Sequence, residues 1–262
     1  MEVEKEIGKI RLPETDLPRV VVIGGGFAGL TFVKKLKNKA VQVVMVDRNN
    51  FHQFQPLLYQ VATSGIVPDS IAFPFRKQFK SYKNVFFRMA NVLTIETNKK
   101  QVITDIGSID YDYLIVATGS DTNFFGLDDV QANSLGMKSI QEALDIRSLI
   151  LQRFEKAVVT SDDNLRDALT NFAVIGGGPA GVENVGAIAE FKKYILPKDY
   201  PDLDTSMMSI YLIESNNRLL KGMSDQSSEK SLRYLKELGV NVHLNTRVTS
   251  YDGLRIGTKT DK

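Results

Sequence analysis

The pattern of apolar and polar positions predicts two similar supersecondary units, one in each half of the chain. In the first unit, residues 20–23 form a continuous β-branched run, which is typical of a parallel strand buried on both faces. A glycine-rich turn, a helix over 27–38 with apolar residues at helical spacing, and a strand over 41–46 ending at Asp47 follow it. The order of strand, turn, helix and strand is that of a parallel sheet with covering helices.

The second half of the chain repeats this order. The segment Val22-Ile-Gly-Gly-Gly-Phe-Ala-Gly29 recurs as Val174-Ile-Gly-Gly-Gly-Pro-Ala-Gly181, with only Phe27 and Pro179 differing. The predicted elements are a strand over 172–175, a turn at 176–178, a helix over 182–191 and a strand over 209–213 that ends at Glu214. An inserted segment, 192–207, accounts for the longer distance from turn to acid. A helix over 229–238 and a strand over 240–244 follow.

The residues between the two units predict one domain for each. Short strands are expected around 85–87, 92–97 and 101–104, and a strand over 113–117 leads into Thr118 and Gly119. A long amphipathic helix is expected over 140–158. The predicted fold class is α/β, with two Rossmann-like doubly wound domains over 1–125 and 126–262 and a three-stranded β-meander crossover in the first.

The amino-acid composition restricts the kinds of functional site that this chain can form. The 262 residues include 24% charged residues, a net charge of +2, no cysteine and two histidines. These values favour a soluble globular protein, disfavour nucleic acid as a partner, and exclude disulfide relays and iron–sulfur clusters built from this chain. A metal site is not expected. The acidic N-terminus, residues 1–6, does not resemble a signal peptide, and no apolar run approaches the ~20 residues of a membrane span. A cytoplasmic location is therefore expected.

Each glycine of the first turn has a distinct physical role. Gly24 permits the tight strand-to-helix turn, Gly26 lets the backbone approach a pyrophosphate, and Gly29 lets helix and strand pack closely. Phe27 and Ala28 begin the helix, whose unpaired N–H groups attract phosphate. Asp47 follows at the distance where a carboxylate accepts hydrogen bonds from ribose hydroxyls. The motif therefore predicts a dinucleotide site without a metal.

The second turn predicts a second dinucleotide site. Its residues are Gly176, Gly178, Pro179, Ala180 and Gly181. Glu214 ends the following strand, and an acid in this place favours NADH because it would repel the 2′-phosphate of NADPH. Arg218 lies close in sequence and leaves NADPH open as the alternative.

One further segment is much more specific to a single protein family than the glycine turns are. The stretch Asp47-Arg-Asn-Asn-Phe-His-Gln-Phe-Gln-Pro-Leu-Leu-Tyr-Gln-Val-Ala-Thr63 resembles type II NADH:quinone oxidoreductases, the non-proton-pumping NADH dehydrogenases. Matches to the same family occur at 112–119, 178–183 and 219–224, and the resemblance runs from about residue 19 to residue 253.

The resemblance implies roles for individual residues. FAD would occupy the first site, on Gly24, Gly26, Gly29 and Asp47 together with Arg48, Thr118 and Gly119, and Gln60 and Val61 would pass near the flavin ring. NADH would bind at the second site, and Glu183 would assist hydride transfer between the two. A second interpretation of Glu183 is an acid in the first helical turn that stabilises the helix dipole.

The implied activity is electron transfer from NADH through FAD to a quinone. Two alternatives stay open at this point: an NADH-dependent reductase of a ferredoxin or rubredoxin, and a non-catalytic nucleotide-binding module. The family pattern also allows a homodimer. Family members continue into a segment that closes the FAD site and a C-terminal region that binds the inner face of the cell membrane. Without these, weak or partial flavin binding is expected.

Overall fold

The computed structural model describes residues 8–260, so the acidic stretch 1–6 lies outside the described residues. In the described part the strands are β1 (Arg19–Ile23), β2 (Gln42–Asp47), β3 (Phe51–Gln53), β4 (Ala72–Pro74), β5 (Val85–Met89), β6 (Val92–Glu96), β7 (Gln101–Thr104), β8 (Gly107–Asp110), β9 (Tyr113–Val116), β10 (Phe172–Ile175), β11 (Ile210–Ile213), β12 (Asn241–His243), β13 (Thr246–Tyr251) and β14 (Ile256–Thr260). The α-helices there are α1 (Phe27–Lys35), α2 (Leu58–Ala62), α3 (Phe75–Gln78), α4 (Asp128–Asn133), α5 (Ile140–Val159), α6 (Asp163–Thr170), α7 (Pro179–Glu190), α8 (Leu196–Asp199) and α9 (Asp225–Glu237).

The chain forms two compact units. Of the described residues, unit 1 contains 8–54 and 69–121, and unit 2 contains 55–68 and 122–260. The division near residue 121 falls inside a polar stretch of the sequence, while 55–68 joins unit 2 although it comes early in the chain. The assignment of one nucleotide to each domain stays a prediction.

Unit 1 is built on a four-stranded parallel sheet in the order β5-β2-β1-β9. Alternate side chains of β1 and β2 enter different cores. Val20, Val22, Val43 and Met45 pack with α1 and α3, whereas Val21 and Val44 pack with the antiparallel meander β6-β7-β8. Both faces of the central strands are therefore buried, which explains their continuous β-branched sequence.

Two details of unit 1 differ from the sequence prediction. Helix α1 ends at Lys35 rather than 38, because Asn38 takes a left-handed conformation with φ 57° and its N–H bonds the Asn84 side chain at 2.8 Å. The strand at Val85–Met89 belongs to the parallel sheet, and Gly107–Asp110, which was not predicted, is the third strand of the meander.

Unit 2 has a three-stranded parallel sheet in the order β10-β11-β12. Helix α5 begins with a capping box, in which Ser139 and Glu142 satisfy each other's backbone N–H groups. The inserted segment 192–207 is largely helical: a π-helical turn, Phe191–Ile195, leads into α8, and Leu196 and Leu203 are buried in the core. The antiparallel hairpin β13-β14 was not predicted; Val248 of β13 packs with Val130 of α4.

Phe154 lies at the centre of the core of unit 2. Its side chain is fully buried, and its ring contacts those of Phe172, Phe191 and Tyr200 with centroids 5.8, 6.0 and 5.6 Å away. The residue therefore connects α5, the parallel sheet and the inserted segment.

We expect Phe154→Ala to lower the free energy of unfolding by about 3–5 kcal/mol, because it leaves a large cavity among these rings. The matched control is Val159→Ala on the same helix, where the side chain is 82% exposed. The control should change stability by less than about 0.5 kcal/mol. Urea unfolding followed by circular dichroism measures both, and an equal effect of the two substitutions would contradict the packing described.

Candidate functional site

The first glycine turn connects the end of β1 to the start of α1. Gly24 has φ 97°, a left-handed conformation that a side chain would strain. Its N–H bonds the Val46 carbonyl at 2.8 Å. At Gly29 a Cβ would lie 1.9 Å from the Gly24 carbonyl oxygen, so only glycine lets the helix approach the strand this closely. The predicted roles of Gly24 and Gly29 are thus present in the backbone geometry.

The outer side of this turn is open. Gly26, Phe27 and Ala28 are exposed, and a Cβ built on Gly26 would meet nothing within 4 Å. Gly26 caps α1, which leaves the first N–H groups of that helix without intrahelical acceptors. Such amides and the positive end of the helix dipole are suited to hold a phosphate group.

The strand end at Thr118 and Gly119 lies beside the turn. A Cβ on Gly24 would come within 2.4 Å of the Ala117 carbonyl oxygen and 3.1 Å of the Thr118 Cα. Both Thr118 and Gly119 are exposed, and Gly119 has φ 75°. The structure therefore brings the predicted residues of β1, α1 and β9 together at one edge of the sheet, where ligands of open α/β sheets bind.

Asp47 is bonded to the turn itself. One of its carboxylate oxygens accepts the Gly25 N–H at 2.6 Å and the other accepts the Asn49 N–H at 2.7 Å. Each oxygen retains capacity for a second donor, such as a ribose hydroxyl. Arg48 is exposed.

The second turn repeats the geometry of the first. Gly176 has φ 106°, its N–H bonds the Ile213 carbonyl at 2.9 Å, and a Cβ on Gly181 would lie 1.9 Å from the Gly176 carbonyl oxygen. Gly178 caps α7, Pro179 and Ala180 are exposed, and a Cβ on Gly178 would meet nothing within 4 Å. The same kind of phosphate-binding helix end is formed.

Glu214 has the place in unit 2 that Asp47 has in unit 1. It accepts the Gly177 N–H at 2.5 Å, and its other oxygen accepts the backbone N–H of Asn216 at 2.6 Å. Burial alone would raise the pKa of Glu214, but these hydrogen bonds outweigh burial and hold the pKa below its ordinary value. The carboxylate is therefore charged throughout the neutral range.

A cleft of about 350 Å³ lies against the second turn and Glu214. Two cations line it, and protein groups bind both. Arg218 bonds the Asp225 carboxylate and the carbonyls of Lys221 and Met223, while the Lys221 ammonium bonds the Asn216 side chain at 2.8 Å. The charge of Arg218 is therefore balanced by Asp225, while the charged groups Glu214 and Lys221 line the cleft without an ion-pair partner among the described residues.

Glu183 is the fifth residue of α7, and its side chain is exposed. The first turn of the helix contains no acid, so the interpretation of Glu183 as a first-turn acid on the helix dipole is wrong. Partial burial raises the pKa of its carboxyl group. Within residues 8–260 it has no hydrogen-bond or ion-pair partner, which leaves it available to a ligand.

Gln60 and Val61 lie on α2, in unit 2. The Gln60 amide donates to the Tyr59 hydroxyl at 3.1 Å, and Val61 is fully buried. Their contact with a ligand stays a prediction.

Two further residues fix the carbonyl groups of the middle glycines of the turns. His52, 6% exposed, places its Nδ1 2.9 Å from the Gly25 carbonyl oxygen, and the Leu220 N–H donates to the Gly177 carbonyl at 2.8 Å. Nothing in the sequence pattern indicated the hydrogen-bond partner of His52. Leu220 carries no local signal of this role.

The part of the chain that the structure describes contains no cluster of three or more metal-ligating side chains. Within the same residues, no helix has both the length and the apolar composition of a membrane span.

Comparison with known proteins agrees with this geometry. The model of the family described as pyridine nucleotide-disulphide oxidoreductase matches residues 18–261. The type II NADH:quinone oxidoreductases Ndh and NdhA of Mycobacterium tuberculosis are 37% and 36% identical over 238 and 248 residues, covering 89% and 92% of this chain but 51% and 53% of theirs. The structure of NDH2 from Plasmodium falciparum in complex with NADH aligns with a TM-score of 0.87 at 25% identity, over 93% of this chain and 51% of that one.

The chain thus spans about half the length of the curated relatives it matches. The resemblance seen in the sequence to type II NADH:quinone oxidoreductases is confirmed, and so is the predicted α/β fold with Rossmann-type parallel sheets. The family description names disulfide chemistry, but this chain contains no cysteine to perform it. With a family model matched over almost its whole length and both glycine turns formed, the chain belongs to the pyridine nucleotide-disulphide oxidoreductase family.

Proposed function

We propose that this chain carries the two nucleotide sites of a flavin-dependent NADH dehydrogenase, with FAD on the first turn and NADH on the second. One observation carries the proposal: both turns form the same open cluster of helix-end amides, each tied to an acid at the end of the next strand. Two pyrophosphate cradles in one chain suit a reaction between two dinucleotides.

The residues fit the two ligands in distinct ways. The open space beside Gly26 and Gly178 accepts a phosphate, because an added Cβ there would meet no atom within 4 Å. Thr118 and Gly119 would border the FAD, and Glu214 would accept hydrogen bonds from the ribose hydroxyls of NADH. Bound FAD would supply the hydride acceptor, while the protein supplies position and electrostatics.

For the full-length protein we propose that the reduced flavin passes two electrons to a quinone. The relatives from Mycobacterium tuberculosis are named NADH:quinone oxidoreductases, which supports this acceptor. We also propose that the full-length protein meets the inner face of the cell membrane through a region beyond this chain and that it associates as a homodimer.

The direct test is optical. The chain mixed with FAD should lose its oxidised-flavin absorbance when NADH is added without oxygen, and FAD without protein is the control. A colourless protein that binds NADH but does not bind or reduce FAD would contradict the proposal and indicate a nucleotide-binding module. With the full-length protein, faster reduction of a ferredoxin than of a short-chain quinone would contradict the proposal that a quinone is the electron acceptor.

Glu183→Gln should slow flavin reduction by NADH roughly 10²-fold, the usual effect of removing a group that assists proton or hydride chemistry. The NADH dissociation constant should change by less than about threefold, since the substitution removes a charge and not a binding pocket. Anaerobic stopped-flow absorbance separates the two quantities.

Glu190→Gln is the matched control, because Glu190 is an exposed acid on the same helix. Equal rates for the two variants would show that Glu183 has no role in the transfer.

Glu214→Gln should raise the affinity for NADPH relative to NADH about tenfold or more, because it removes the charge that repels the 2′-phosphate. The glutamine oxygen can still accept the Gly177 N–H, whereas its NH2 group faces the Asn216 N–H and loses that bond. Titrations with both nucleotides measure the ratio, with Glu229→Gln, an exposed acid on α9, as control. An unchanged ratio would mean that another residue sets the preference.

A further inference from the structure

We propose that His52 is a positioning residue for FAD: by holding the Gly25 carbonyl, it aims the Gly26 N–H at the pyrophosphate. The inference rests on the proposal that the first turn holds FAD. It assigns a ligand-orienting role to a side chain that does not itself touch the ligand.

The hydrogen bond has one chemical direction. The Nδ1 atom of His52 lies 2.9 Å from the Gly25 carbonyl oxygen, in a buried position. A carbonyl oxygen only accepts, so Nδ1 carries the proton in this bond. The carbonyl is therefore held by a directed donor and not only by packing.

Gly25 is fixed on three sides. Its N–H donates to Asp47, its carbonyl accepts from His52, and its Cα lies against the Phe75 ring, which a Cβ at this position would approach to 2.1 Å. None of these partners belongs to the turn.

The peptide plane passes this constraint on to Gly26. The carbonyl of Gly25 and the N–H of Gly26 belong to one planar trans peptide, so they point in opposite directions. Holding the carbonyl toward His52 directs the N–H away from it. Gly26 is exposed and has open space beside it, where a phosphate would sit.

The second turn provides an independent copy of this arrangement. There Glu214 accepts the Gly177 N–H, Leu219 packs against the Cα, and the carbonyl accepts the Leu220 N–H at 2.8 Å. Leu220 adopts φ 50° at this point, a conformation that is uncommon for leucine. Since two unrelated donors hold the equivalent carbonyl, its orientation is a requirement of the turn.

His52 is well placed to act as a fixed donor. It lies on β3, whose antiparallel partner is β4, and Phe27 packs on its ring edge-on with centroids 5.1 Å apart. A buried ring held in this way has little freedom to turn away from Gly25.

The test compares three substitutions at His52 in the whole chain. Leucine removes the donor, asparagine places an amide N–H near the position of Nδ1, and glutamine places one near Nε2. His52→Leu should weaken FAD binding about tenfold, the usual scale for loss of one such constraint. Asparagine should restore the affinity to within about threefold of the original, and glutamine should not.

NADH binding is the internal control, because the second turn does not use His52. Its dissociation constant should stay within about twofold in all three variants, which also shows that unit 2 is folded. If His52→Leu fails to fold, the comparison of asparagine with glutamine still decides, since both are polar and similar in size. Nitrogen-15 NMR of the ring should show the Nδ1–H form, and with two histidines in the chain the assignment is simple.

The outcomes separate the two proposals. An original chain that binds no FAD overturns the proposed function. An original chain that binds FAD while asparagine and leucine variants are equally weak, or equally strong, overturns the role of His52 alone. A proton on Nε2 instead of Nδ1 would do the same.

Discussion

The bond from a strand-end carboxylate to the middle glycine of the turn is the constraint on which both sites depend. Asp47 holds Gly25 and Glu214 holds Gly177, so the end of one strand fixes the loop that leaves its neighbour. We propose these acids as ligands of ribose, and they also hold the loop in place. At Glu214 these hydrogen bonds hold the pKa of the carboxyl group below its ordinary value before any nucleotide arrives.

The sequence predicted those features whose causes are local. A β-branched run buried on both faces, glycines where a side chain would clash, and an acid at the strand end can all be identified from residue type and spacing. The bounds of β10, Phe172–Ile175, agree with the prediction, and α5 was predicted to within one residue from its amphipathic pattern. The set of glycines and acids around each turn follows from the same patterns.

The remaining features depend on tertiary partners that a pattern does not name. In the short strands of the β13-β14 hairpin, apolar and polar residues alternate only weakly. The stability of these strands comes from packing against α4. Strand β8 begins at Gly107, and glycine is a residue type that suggests a turn. The donor to the Gly25 carbonyl is distant in sequence, and the donor to Gly177 is a backbone N–H, which leaves no trace in residue type. Directional contacts of this kind become visible only when the fold is known.

The early segment 55–68 gives unit 2 a discontinuous sequence. Helix α2 is buried through Leu58, Val61 and Ala62 and packs on α5 and α7, which are synthesised long after it. The apolar side chains of α2 can therefore be buried only after α5 and α7 have been synthesised. Contacts between residues so far apart in sequence slow folding. A gene fragment starting at residue 122 would lack α2 and expose the surfaces of α5 and α7 that it covers. Dissecting this chain into separate domains thus requires a circular permutation or a grafted linker and not a single cut.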